Sequence, residues 1–386
     1  MSASLRIWLS RLQAMTWKEL LQLMRDPVLL VFVLYAFTVD IYNAGAGVSF
    51  QLNNVALVLQ DQDKSAASRE LSRRFMAPEF RWLAHTDHAA TSLAYLDQSK
   101  ALAVLDIPPG FGRDLQRLQG ADIQMQIDAS NSVQGFLATM DATQIVSRFG
   151  LEQQAGLFGL NLTQTSSAAQ LPVVNNQVRV WFNPNQNDAW FMGISELLNV
   201  VTLFALLLPA AAMVREKERG TIEQLLVSPL SPMQIMLPKI IAMVAVILAG
   251  IALGLFAILI PVFHIPVAGS LLLFLVFSIC YIATLAGIGI LIATLTRNMA
   301  QAGMMVILIL APMMFLSGVW TPPEAMPLLM RYAMYLSPLY YYINASYGIL
   351  LKGSGLAILW PMLVGILVIS LVVRSVTMLV FKKQFA

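Results

Sequence analysis

The chain has 386 residues, 58% of them apolar and only 12% charged, with a net charge of +3. Soluble globular chains carry about 25% charge and about 45–50% apolar residues. With a mean hydropathy of +0.70, this balance excludes an ordinary soluble enzyme, a disordered chain and a nucleic-acid binder, and it predicts an integral membrane protein.

Residues 1–26 place Arg6, Arg11, Lys18 and Arg25 between Leu5, Trp8, Leu9, Leu12, Met15, Leu20 and Leu23. That near-helical spacing predicts an amphipathic helix along the inner membrane surface. A signal peptide is disfavoured, because the apolar run starts late and no small-residue cleavage site precedes Gly45. Residues 27–47 form a first run long enough to span a bilayer.

Residues 48–187 have near-soluble composition. Strands are predicted over 55–60, 101–107, 123–128 and 177–182, helices over 64–75, 111–119 and 133–154, and a loop over 166–176. This alternation predicts an inserted α/β domain. Apolar runs at 189–213, 236–261, 269–296, 300–320 and 356–380 follow. The expected fold is therefore an α-helical polytopic membrane protein with six transmembrane helices and an extracytoplasmic α/β domain.

Lysine and arginine place the ends. Twelve fall in the N-terminal tail, the 214–239 loop, at Arg297 and near the C-terminus, against Arg331 and Lys352 in the opposite links. The positive-inside rule then puts both termini in the cytoplasm and the α/β domain outside. Cys280 stands alone, so no internal disulfide forms, and it reads as a packing residue. His85, His88 and His264 match no metal motif.

The loop over 214–235 is the most polar of the inward segments. Arg215, Glu216, Lys217, Glu218 and Arg219 alternate in sign, Gly220 breaks the helix, and Thr221 is a candidate N-cap ahead of Glu223. Two readings stand: a solvated loop, or a short helix that a cytoplasmic partner grips.

In order, the chain carries KELLQLMRDP (18–27), an exterior domain, EKERGTIEQLLVSPLSP (216–232) and FLSGVWTPPEAMPLLMRYAMYLSPLYYYINASYGIL (315–350). These motifs and their topology resemble the type-2 ABC exporter permease family, in the branch with a large periplasmic domain. The resemblance covers nearly the whole chain. It implies an inner-membrane subunit that pairs with a second permease chain, a separate ABC ATPase and a periplasmic membrane-fusion protein. It implies ATPase coupling through Glu216, Glu218, Arg219, Gly220, Thr221 and Glu223. It also implies a turn between interfacial helix and first span built on Lys18, Glu19, Arg25, Asp26 and Pro27. Residues 321–350 become a re-entrant exterior cap, with Pro322, Pro323, Pro327, Pro338 and Tyr340 in it. By default, Tyr332, Tyr335, Tyr340, Tyr341, Tyr342 and Tyr347 are headgroup-level girdle residues.

Charges inside spans need a reason. Asp40 and Glu196 fall at similar depth, with Asn199 one turn from Glu196. They either line a wet pathway together or sit in the membrane interface. No phosphate-binding loop and no catalytic constellation occur, so no enzyme activity and no cofactor are expected in this chain; ATP is expected in a partner. The alternative class is a non-transport receptor or scaffold whose periplasmic domain binds a ligand.

Overall fold

The computed structural model describes residues 3–47, 54–98, 100–117, 121–128, 132–157, 182–183, 187–221, 231–319, 323 and 326–385. Internal contacts divide the chain into two units, Met1–Val48 with Val180–Ala386, and Ser49–Arg179.

The first unit is helical. Helix α1 (Ala3–Met24) ends at a short turn, and α2 (Pro27–Tyr35) begins with Asp26 as N-cap, its side chain accepting from the Leu29 amide at 3.1 Å. Pro27 fits the first helical position because an amide there has no intrahelical partner to lose. A π-helical turn, Ala36–Asp40, joins α2 to α3 (Ile41–Gly47), so that 27–47 forms one rod. Helix α8 (Asp188–Glu218) is the hub: 89% of its apolar window is buried inside the protein. Helix α9 (Pro232–Leu253) starts with a reciprocal Ser231–Gln234 capping box and runs into a second π turn, Gly254–Leu259. Then come α10 (Leu271–Leu295), α11 (Met299–Phe315), α12 (Leu328–Met334), α13 (Pro338–Leu350) and α14 (Leu356–Phe385).

Among the described residues, five helices are long and apolar enough to cross a membrane, and α11, with 17 residues, is a shorter apolar helix. The apolar run expected to reach residue 320 stops as helix at Phe315. Beyond Pro312 the Ser317 hydroxyl donates to the Met314 carbonyl at 2.6 Å, and Gly318 turns the chain with φ of +84°. The first span packs on α9 at Gly250, where an added Cβ would sit 2.5 Å from the Phe37 ring, so only glycine admits that ring.

The second unit is a four-stranded sheet, ordered β2-β1-β3-β4. Strand β1 (Val55–Asp61) lies parallel to β2 (Phe80–His85) and β3 (Ala103–Ile107), and β4 (Gln124–Ile127) is antiparallel to β3. Helices α4 (Ala66–Arg74), α6 (Phe111–Gln116) and α7 (Ser132–Leu157) cover one face, where Leu57, Leu71, Phe75 and Phe149 form the core. Helix α5 (Ala89–Asp97) lies over the other face, with Val58 and Val104 beneath it.

The predicted elements over 55–75 and 101–154 are present, with ends moved by a few residues. Strand β2 and helix α5 were not expected. At the sheet edge, Arg81, Leu83 and His85 are exposed, so β2 lacks a continuous apolar run. The strand expected over 177–182 falls outside the described residues except at Phe182, and the 166–176 loop lies wholly outside them.

Candidate functional site

Three buried charges join three helices. Lys239 on α9 donates to Glu19 of α1 and sits 2.8 Å from Glu216 of α8, and the three residues are 1%, 2% and 4% exposed. Half-exposed Lys18 completes the group, 3.0 Å from Glu216 and 3.5 Å from Glu19. Two ammoniums and two carboxylates balance, which is the condition for keeping charge out of water. Burial lowers the Lys18 pKa, but Glu216 and Glu19 outweigh it, so it lies above the ordinary 10.5. Sequence reading missed Lys239, which had been counted only as an inward loop charge. The available signal was a lysine set in the apolar run of a span.

Residues 215–218 reach four different parts of the helical unit. The Arg215 guanidinium donates to Asp26 at 2.9 Å, so the Asp26 carboxylate both caps α2 and anchors α8. Glu216 holds α1 and α9 through the lysines. Lys217 donates to the carbonyls of Ala293, Thr294 and Thr296, each at 2.8 Å, and so closes the C-terminus of α10. Glu218 accepts from the Met299 amide at 2.9 Å, at the start of α11.

This corrects the sequence expectation for Glu216: its carboxylate is an internal tie, not a surface group offered to a partner. Gly220 ends α8 with φ of +66°, and Arg219 and Gly220 are exposed. The Thr221 hydroxyl donates back to the Glu216 carbonyl at 3.2 Å rather than capping forward. Glu223 lies outside the described residues.

Beside these ties runs an open groove of about 690 Å³ between α1 and the end of α8. Lys18, Arg25, Arg215 and Arg219 line it, with Trp17 as an apolar wall and Asp26 and Pro27 at one end. Both sequence motifs, 18–27 and 215–219, thus meet at one cationic surface.

Asp40, Glu196 and Asn199 are also brought together. Asn199 donates to Glu196 at 3.3 Å, and the Asp40 carboxyl is near enough to act on Glu196 electrostatically. Asn199 is buried, while both carboxylates are half-buried.

A family model for "ABC-2 family transporter protein" matches residues 20–379. The chain belongs to the ABC-2 transporter family. It is 32% identical over 367 residues to the inner membrane transport permease YhhJ of Escherichia coli (strain K12), covering 95% of each chain. It is 30% identical over 380 residues to the probable multidrug ABC transporter permease YbhR of the same strain, covering 97% of this chain and 99% of that one. The probable multidrug ABC transporter permease YbhS, also of that strain, is 24% identical over 353 residues, 89% of each. Such relatives, together with the apolar helices, make this ABC-2 chain a multi-pass protein of a bacterial inner membrane.

In this ABC-2 chain the tyrosines of 332–347 divide into two sets. Tyr332 and Tyr335 are 66% and 45% exposed, as girdle residues would be. Tyr340 packs edge-on against Tyr335 and Tyr341. Tyr342 is instead fully buried, stacked on Tyr281 at 4.1 Å and bonded to Ser278 at 2.9 Å. Tyr347 donates to the Phe191 carbonyl at 2.9 Å and meets the Ser195 hydroxyl. Helix α13 packs on α8, α10 and α14, which carries the Tyr342 ring inside and leaves Tyr347 partly buried, unlike the exposed set. Pro327 precedes α12, Pro338 opens α13, Pro323 is described only as a single residue, and Pro322 is outside the described residues.

Proposed function

We propose that this chain is the membrane subunit of an ATP-driven exporter, working as a pair of like or related chains and driven by a separate ABC ATPase. The observation that carries this reading is the fan of ties from Arg215–Glu218 beside the cationic groove. The ATPase seats an acidic segment in the groove and against Arg219, Gly220 and Thr221, and the 222–232 stretch completes the docking surface.

A displacement imposed there is passed at once to α1, the first span, α9, α10 and α11, because each is held by a side chain of the same helical turn. ATP binding in the partner favours the helix arrangement that it contacts best, and so shifts the access state. In this reading α11 makes a sixth crossing, both termini are cytoplasmic, and the α/β unit is periplasmic, where a membrane-fusion protein meets it. The Asp40–Glu196–Asn199 group lines the outer part of the pathway and favours cationic amphipathic or drug-like substrates.

The test uses the Arg25→Glu/Arg219→Glu variant, which reverses the groove charge at two exposed positions without touching the buried ties. It should insert normally, lose copurification of the ATPase, and lose ATP-dependent efflux in cells. Undiminished copurification and efflux would overturn the docking assignment. Glu218→Lys gives a second arm: it releases the Met299 amide and should uncouple ATP hydrolysis from transport.

A further inference from the structure

The α/β unit holds an open pocket of about 480 Å³ at the carboxyl ends of parallel strands β1 and β2. Ligands of α/β sheets collect at such strand ends, and pockets of about 300–1,000 Å³ suit small molecules. Its floor is made by a break in strand pairing. Leu57 pairs with Trp82, but Val58 pairs with Ala84 and Leu59 with His85, so Leu83 is an extra residue.

In an unbroken strand, residues three apart point to opposite faces. The bulge brings His85 to the same face as Trp82, and the two rings stack at 5.7 Å with 30° between their planes. Bulges recur where a side chain is re-aimed next to a site.

Helix α4 forms the wall. Arg69 and Arg73, one turn apart, line the pocket together with Met76. Neither guanidinium has a carboxylate partner among the described residues, and Arg69 spends one N–H on the Lys64 carbonyl at 2.6 Å. The other charges at the rim are satisfied internally. Lys64 pairs with Asp87 at 3.1 Å, and Asp61 accepts from the Ser68 hydroxyl and from the Asp63 and Lys64 amides. The pocket therefore offers two guanidiniums with no carboxylate partner among the described residues, beside a stacked aromatic floor, while Asp61 in its lining is held by hydrogen bonds alone.

We propose that this pocket is a binding site for a planar aromatic anion, such as an arene carboxylate or sulfonate. The Arg69 and Arg73 forks take the anionic head in paired charge-assisted hydrogen bonds. The ring lies against Trp82, whose indole face gains from offset stacking and from excluding water. His85 backs the indole, and Met76 closes over the apolar edge as an adaptable sulfur contact. A neutral ligand leaves the guanidiniums unused, and a hydrated inorganic anion leaves the indole unused.

The test titrates 2-naphthoate into the full chain in lipid nanodiscs by calorimetry, with 2-naphthalenemethanol as the neutral counterpart. Saturable one-to-one binding of the carboxylate is expected, with the alcohol weaker by at least about tenfold, as loss of a charged hydrogen-bonded pair implies. Arg69→Gln/Arg73→Gln and Trp82→Ala should each lower carboxylate affinity by about tenfold or more. Arg69 and Arg73 are exposed, so the glutamine pair leaves the fold intact, and Arg117→Gln, outside the pocket, should bind as the parent does.

Absence of saturable binding up to about 1 mM overturns the proposal. So does equal affinity for the carboxylate and the alcohol, or unchanged affinity in the Arg69/Arg73 variant. None of these readouts depends on the ATPase, so this site stands or falls separately from the transport reading.

Discussion

In the helical unit, Lys239, Glu19 and Glu216 meet at 2.8 Å while 1–4% exposed. In the α/β unit, Lys64 and Asp87 meet at 3.1 Å with side chains 68% and 69% exposed. The lengths are alike, but the surroundings set the energies. A pair in water is screened and contributes about 0–1 kcal/mol. A buried group has lost its hydration, so each charge depends on its partner, and removing one partner is the costly event. Charge in the helical unit is thus a device for binding helices together. In the α/β unit the Lys64–Asp87 pair decorates a surface, and Arg69 and Arg73 have no carboxylate partner among the described residues.

The most severe way to break this contrast is Lys239→Met, which leaves two buried carboxylates with only the half-exposed Lys18 between them. It should destabilise the helical unit by about 3–5 kcal/mol, read as loss of monodisperse protein on size exclusion after mild heating. The Glu19→Leu/Lys239→Met/Glu216→Leu variant should recover most of that loss, because apolar replacement of a whole buried ionic group is often neutral. If Lys239→Met is as heat-resistant as the parent, the buried charges do not hold the helices.

A smaller effect is expected at Asp63, which accepts from the amides of Gly110 and Gly112 at 2.8 and 2.9 Å. Burial pushes its carboxyl up, but hydrogen bonds from Ser65 and from those amides, with the charge of Arg113, hold it below the ordinary 3.8. Its stabilisation is therefore present above that value and lost as pH falls through the lowered one. Asp63→Asn should cost the α/β unit about 1 kcal/mol at neutral pH. Resistance of that unit to an acid-active protease should then converge with the parent as pH is lowered. A gap that widens toward acid would reverse the assigned sign.

The smallest change is expected for Lys64→Met, within about 0.5 kcal/mol by the same protease resistance. A loss several times larger would show that exposure does not separate the two kinds of pair.

Much of the fold was legible because its signals are local. Apolar runs and the helix break at Gly220 can be read from a few adjacent residues, and five runs became helices of spanning length. Strand β2 was not legible, because an edge strand with a bulge satisfies neither an apolar run nor strict alternation. The 18–27 and 215–219 motifs could be read as important, but not as neighbours.

That this is a membrane protein with an inserted α/β unit is written in composition and periodicity, which carry that information residue by residue. Which charges are ties and which are open depends on packing. Glu216 and Arg219, three positions apart, point to a buried lysine and to an open groove respectively. A partner such as Lys239, 23 positions beyond Glu216 in the chain, becomes visible only when packing brings its helix alongside. The balance of buried charge is a property of space rather than of sequence order.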